Sequence, residues 1–209
     1  MIAIAALAGY LLGSLPTAGW IARSVGLDLR REGSGNPGAN NARSLGGMRL
    51  AMAILVVEIV KGAAAVLGGG VIAGSTGAVI GGLAALAGNV YNVWYRFEGG
   101  QGLGITAGVL LAAWPVWLLA VLPVIAGVTA RTRRTAKAAV AALATVLLGA
   151  GLESGLDLPS AWGVDHPDTL VLAIGLVLLI APKQIAKLIA SDDPTLPGLD
   201  DQRHGPVVQ

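Results

Sequence analysis

The chain has no cysteine, two histidines and few charges: 12% of its 209 residues are charged, against about a quarter in an ordinary soluble domain. Without cysteine there can be no disulfide and no thiolate metal site, and the redox compartment leaves no mark. The two histidines, His166 and His204, argue against an imidazole metal site, so no metal and no cofactor is expected. The shortage of charge excludes most. With 55% apolar residues and a mean hydropathy of +0.73, the chain reads as an integral membrane protein, expected as one domain over 1–191. The 31 glycines follow no period, as suits close helix packing in lipid rather than a fibre. The uncharged run Met1–Ala22 lacks the basic start of a cleavable signal and reads as a first membrane helix.

Spans are expected at about 1–22, 50–73, 75–95, a broken pair within 103–130, then 136–152 and 169–189. Arg23, Arg30, Arg31, Arg43 and Arg49 place the 23–49 loop in the cytoplasm and the N-terminus outside. Arg96, and then Arg131, Arg133, Arg134 and Lys137, also want the cytoplasmic side. That requires an even number of crossings between 103 and 130, where Pro115 and Pro123 can split the stretch into two short helices. The fold class is therefore all-α: a polytopic bundle of about seven membrane helices, or six if 103–130 crosses once, with cytoplasmic glycine-rich loops. The 153–168 segment, with Glu153, Asp157, Asp165 and Asp168, falls outside. Residues 192–209 read as a disordered cytoplasmic tail.

Two polar, glycine-rich segments interrupt the apolar runs. The first is Gly33-Ser34-Gly35-Asn36-Pro37-Gly38-Ala39-Asn40-Asn41-Ala42-Arg43; the second is Gly99-Gly100-Gln101-Gly102. Backbone N–H groups at glycine turns, with an arginine near, suit a phosphate or another oxyanion. The second loop has no Gly-Lys-Ser/Thr and is not a Walker motif. It precedes an apolar helix from about Leu103, whose N-terminus is an ordinary place to hold an anion. A solvated cytoplasmic turn is the alternative for the first loop, but a second glycine loop on the same side and Arg43 stand against it; the glycines of the second loop carry little by themselves. Pro16, flanked by Ser14 and Thr17, is either a kink whose hydroxyls satisfy the freed backbone or a polar wall to a cleft. Glu58 and Lys61 share a helix face inside a span and form either a structural pair or a functional one. Trp94, Tyr95, Trp114 and Trp117 read as interfacial aromatics. No Ser-His-Asp set is available, and Val171 stands where a His-x4-Asp acyltransferase would need its aspartate. The Arg131–Lys137 cluster suits anionic lipid rather than nucleic acid.

Gly13-Ser14-Leu15-Pro16-Thr17, the 33–43 segment, Lys61-Gly62 and the run from Gly88 to Gly102 together resemble the signatures of the bacterial acyl-phosphate:glycerol-3-phosphate acyltransferases over roughly residues 1–190. The resemblance implies a seven-helix inner-membrane enzyme with a cytoplasm-facing site. Such an enzyme moves an acyl chain from acyl phosphate to the 1-hydroxyl of glycerol 3-phosphate, giving lysophosphatidic acid and phosphate. It implies catalytic roles for Ser34, Asn36 and Arg43. Gly35, Asn41, Lys61, Gly99, Gly100, Gln101 and Gly102 then bind substrate. The implied partners are acyl phosphate, glycerol 3-phosphate and membrane lipid, with no nucleic acid.

The chain departs from the family pattern at named positions. Asn89 replaces a histidine, Gln101 replaces the lysine of Gly-Gly-Lys-Gly, and Gly104-Ile105 replaces Ala-Thr. The third signature is reduced to Ala181-Pro182-Lys183-Gln184-Ile185-Ala186-Lys187. Two other readings follow: a non-catalytic or acceptor-shifted paralogue, and a small anion transporter with Glu58 and Lys61 in its pathway.

Overall fold

A computed structural model describes residues 1–156, 164 and 166–192; the expected tail beyond Asp192 lies outside the described residues. Among these the architecture is all helical: α1 (Ile2–Ser14), α2 (Thr17–Arg23), α3 (Ala39–Val90), α4 (Leu103–Ala113), α5 (Pro115–Thr132), α6 (Thr135–Leu156) and α7 (His166–Asp192), with a short 3-10 turn at Val93–Tyr95. Five helical stretches are long and apolar enough to cross a membrane.

The longest stretch folds back on itself. α3 loses helical geometry at Ala73 (φ −148°, ψ 30°) and Gly74 (φ 64°, ψ −154°), at the boundary expected between two spans. Gly74 faces open space, so glycine is required there for its left-handed φ and not for room. The two arms then run antiparallel, with Gly69 against Gly77 and Gly81 against Ala65. α1 packs parallel to the second arm through Gly9 on Gly81, Gly13 on Ala85 and Gly88 on Tyr10. Small residues let these backbones meet, which is how helices associate where lipid competes for every apolar surface.

The first expected span is broken. Pro16 has no N–H, and α1 stops at Ser14 before α2 begins at Thr17. In the 103–130 stretch the break falls at Trp114, whose φ −155° and ψ 61° separate α4 from α5; Pro115 takes the first position of α5, where a missing N–H is harmless. Pro123, expected to help break this pair, instead lies inside α5. α4 is only 11 residues, about 16 Å long, roughly half the hydrocarbon thickness. It packs parallel to the first arm of α3, with Gly104 beside Glu58, Gly108 on Ile59 and Gly62 on Ile105.

At the end remote from the glycine loops, Ser75 and Thr76 in the bend of α3 donate to Asp168 of α7, at 2.7 and 3.2 Å. Trp114 and Trp117 both donate their indole N–H to Glu153 Oε1, at 2.9 and 2.7 Å. Three expectations change here. Glu153 belongs to α6 and Asp168 to α7 rather than to an outer loop, and Trp114 is 1% exposed, a core residue rather than an interfacial one; Asp157 and Asp165 lie outside the described residues. Burying a carboxylate requires donors, and the two indoles are what this apolar setting provides. The Arg131–Lys137 cluster sits on the α5–α6 turn, at the other end of that hairpin.

Candidate active site

The first glycine-rich loop is held by one buried amide. Asn41, in the first turn of α3, accepts from Ser34 N–H at 2.9 Å and donates to Leu29 O and Glu32 O at 3.0 Å each. Gly33 sits against the Asn41 side chain at φ 60°, so neither the space nor the backbone admits a β-carbon. Asp28 accepts from Arg30 N–H at 3.0 Å, and Glu32 accepts from Asp28 N–H at 2.7 Å, which folds the approach to the loop. Gly38 caps α3. The first amides of α3, at Ala39 to Asn41, precede the first intrahelical bond, in which Ala42 N–H reaches Gly38 O.

The second loop closes the other end of α3. Gly99 N–H and Gly100 N–H donate to Val90 O and Asn89 O at 3.0 Å each, satisfying carbonyls at the helix C-terminus. A β-carbon on Gly99 would strike Asn89 O. Lys183, from α7, grips the same turn, donating to Val90 O at 2.9 Å, Gly100 O at 3.0 Å and Gly99 O at 3.1 Å. The amides left for a ligand are therefore those after Gly100, up to the start of α4. Gly102 (φ 77°) caps that helix, and Thr106 N–H makes its first bond to Gly102 O.

Both helix N-termini open into one cleft of about 200 Å³, lined by Asn36, Pro37, Gly38, Ala39, Asn40, Leu55, Glu58, Asn89 and the Gly100–Gly104 stretch. An adjoining small polar recess is lined by Leu15, Pro16, Ala18, Asn92 and Tyr95, together with Pro37, Glu58, Asn89 and Gly100.

Glu58 is the hub of the cleft wall. Its Oε1 accepts from Lys61 Nζ and Thr17 Oγ1, both at 3.0 Å, and its Oε2 accepts from Asn89 Nδ2 at 2.7 Å. Lys61 also donates to Leu15 O at 2.9 Å, the carbonyl next to the break at Pro16, which Thr17 N–H also reaches at 2.8 Å. Asn92 Nδ2 takes the neighbouring Ser14 O at 2.7 Å. Ser14 Oγ bonds within its own helix, to Leu11 O, while Thr17 faces Glu58. The broken helix is thus both self-satisfied and part of the polar wall. With side chains 5% and 11% exposed, Lys61 and Glu58 neutralise each other inside the bundle. Arg30 spans the two loops at the surface. It donates to Glu98 O at 2.8 Å, pairs with Glu98 Oε2 at 3.4 Å and lies 5.1 Å from the Tyr95 ring centre.

Of the residues singled out from sequence, Asn36, Gly100, Gln101 and Gly102 line the cleft. Gly35, at φ 69°, turns the first loop, and Gly99 turns the second. Asn41 faces into that loop, and Lys61 stands behind Glu58. Ser34 and Arg43 are exposed and outside the lining. Arg43 lies three residues past Asn40, hence on the same helix face. Glu58 and Asn89 were noticed in the sequence but not placed at the site. The usable signal was a carboxylate within a span and an amide just before the second loop. Among the described residues no three histidines or carboxylates converge to hold a metal.

Residues 3–191 match the family described as glycerol-3-phosphate acyltransferase. A curated glycerol-3-phosphate acyltransferase of Agrobacterium fabrum is 43% identical over 121 residues, covering 57% of this chain and 59% of the relative. One from a Synechococcus species is 42% identical over 127 residues, covering 56% and 63%. The chain thus spans about three fifths of the length of these relatives. Crystal structures of PlsY (YgiH), an integral membrane glycerol 3-phosphate acyltransferase, share the fold at 25% identity. Its glycerol 3-phosphate form has a TM-score of 0.74 and covers 96% of this chain and 98% of that one. Its lysophosphatidic acid form has a TM-score of 0.73 and covers 90% and 91%.

Proposed function

The chain belongs to the glycerol-3-phosphate acyltransferase family, and we propose on that premise that it transfers the acyl group of an acyl phosphate to the 1-hydroxyl of glycerol 3-phosphate, in the cytoplasmic face of a bacterial inner membrane. The observation that carries this reading is the convergence of two helix N-termini, at Gly38 and Gly102, on one cleft beside a polar hub. Each N-terminus presents amides and a positive dipole end, and the reaction needs two phosphates side by side.

Acyl phosphate is a mixed anhydride, so its phosphate leaves without a strong acid. The acceptor oxygen bonds to the acyl carbonyl carbon, the carbon–oxygen bond to phosphate breaks, and lysophosphatidic acid and inorganic phosphate form. The proton of the attacking hydroxyl passes to a substrate phosphate oxygen. The protein's part is alignment and stabilisation of the oxyanion. Asn36 and the amides beginning at Ala39 hold one anion, and Gln101 to Gly104 hold the other. Ser34 and Arg43 meet the charged head at the mouth, where the exposed guanidinium can offer two parallel donors. Asn41 and Lys61 act one step back, the first by shaping the loop and the second by fixing Glu58.

The test is phosphate release by the purified protein in lipid nanodiscs with palmitoyl phosphate and glycerol 3-phosphate, with mass spectrometry of the lipid product. Acceptor-dependent release with lysophosphatidic acid is the expected result. Donor hydrolysis without that product would assign a different acceptor, and no release from folded protein would overturn catalysis.

A further inference from the structure

The Gly99-Gly100-Gln101-Gly102 loop has no cation of its own, and the cations around it differ in what they face. Arg30 meets Glu98 at 3.4 Å, and Lys61 meets Glu58 at 3.0 Å. Lys183 meets no carboxylate within ion-pair distance among the described residues. It is half-buried, and its bonds go to the carbonyl oxygens of Val90, Gly99 and Gly100 at 2.9, 3.1 and 3.0 Å. The Tyr91 ring lies 5.9 Å from the same ammonium.

These bonds have a directional consequence. In a trans peptide the carbonyl and the following N–H point to opposite sides, and no peptide among the described residues is cis. Gly100 O and Gln101 N–H belong to one peptide unit. Drawing Gly100 O toward α7 therefore turns Gln101 N–H away from Lys183, and Gln101 lines the cleft while Lys183 does not. The same ammonium, with no carboxylate in ion-pair contact among the described residues, places positive charge against the back of the anion-facing amides.

We propose that Lys183 is the positioning residue of the second loop: from α7 it aims the Gln101 amide into the cleft and supplies the positive charge for the phosphate of glycerol 3-phosphate. The identity of that ligand rests on the reading under Proposed function. Lys183 touches backbone rather than substrate, so its effect appears in acceptor affinity and not in the chemical step. One charge acting on a phosphate across a partly screened loop is worth roughly a tenfold change in affinity.

The experiment is calorimetric titration of glycerol 3-phosphate into nanodisc-embedded protein, run beside steady-state kinetics. K183Q keeps donors for the carbonyls but removes the charge; K183R keeps both; K187Q removes a charge one turn further along α7. K183Q is expected to raise Kd and the KM for glycerol 3-phosphate about tenfold, with kcat changed less than threefold. K183R and K187Q should stay within threefold. Equal binding by K183Q and wild type would overturn the proposal, as would a kcat effect with KM unchanged. Hydrogen exchange on the wild type needs no variant: glycerol 3-phosphate should protect the 101–105 amides, and absence of protection refutes the assignment. Wild type that binds but does not turn over would remove the acyltransferase reading and leave this one standing. Wild type that does not bind would overturn this one.

Discussion

Replacing Lys61 with methionine isolates the cost of a broken buried pair. The substitution removes the 3.0 Å contact to Glu58 Oε1 and the bonds to Leu15 O at 2.9 Å and Thr17 Oγ1 at 3.3 Å. Glu58 is left charged in a membrane-embedded wall with its side chain 11% exposed. Removing one partner of a buried pair costs about 3–5 kcal/mol, since the other charge stays desolvated. At 2–4 °C per kcal/mol for a chain of this size, that is a melting point lowered by about 6–20 °C. The assay is thermal unfolding in nanodiscs followed by tryptophan fluorescence. The E58Q/K61M double variant removes the stranded charge and leaves Thr17 and Asn89 an amide to bond, so it should recover at least half of the loss. A K61M melting point within about 2 °C of wild type would refute the argument, and so would a double variant less stable than K61M. If Glu58 and Lys61 formed an ion pathway instead, wild-type liposomes would pass anions without any acyl donor, and K61M would stop the flux.

Three further outcomes are expected. Gly88→Ala places a β-carbon against Tyr10 O and 2.9 Å from Ser14 N, and should destabilise the α1–α3 contact by about 2–3 kcal/mol, whereas Gly68→Ala, which meets nothing within 4 Å, should fall within about 0.5 kcal/mol of wild type; unfolding midpoints compare them. Asn41→Ala frees Ser34 N–H, Leu29 O and Glu32 O together and should lower kcat/KM at least roughly tenfold, as measured by phosphate release with both substrates. Gln101→Lys adds a cation to the cleft lining and should lower the KM for glycerol 3-phosphate with kcat little changed; an unaltered KM would count against the second loop as the acceptor site.

The helical membrane fold was legible because lipid imposes few solutions: long uncharged runs must be helices, and small residues mark where they touch. The bend at Ala73–Gly74 lay where the expected spans met. Proline was the less certain guide. Pro16 and Pro115 sit where a helix ends or begins, yet Pro123 lies within α5, because neighbours and local geometry in a membrane bundle can absorb one missing bond. Glu153 escaped the expected outer loop because its partners, Trp114 and Trp117, are 39 and 36 residues away in sequence. No local pattern announces that two indoles will accommodate a carboxylate.

The site was legible in its loops and hidden in its supports. Glycine turns and helix starts are local, so the two loops stood out in the sequence, and the family resemblance singled out Asn36, Gly100 and Gly102 within them; all three line the cleft. Glu58, Asn89, Asn92 and Lys183 meet those loops only after four separate helical segments have packed, through bonds spanning 31 to 93 residues. The loops cannot hold their shape alone. Gly99 and Gly100 donate their own N–H groups to the end of α3, and their carbonyls are taken by a lysine from α7. It follows that the amides after Gly100, along the cleft, are set by the bundle rather than by the glycine sequence. A peptide of residues 96–105 excised from the bundle should therefore show no measurable phosphate binding by nuclear magnetic resonance. Millimolar binding by that peptide would mean that the glycines suffice and that the helices around them are only a frame.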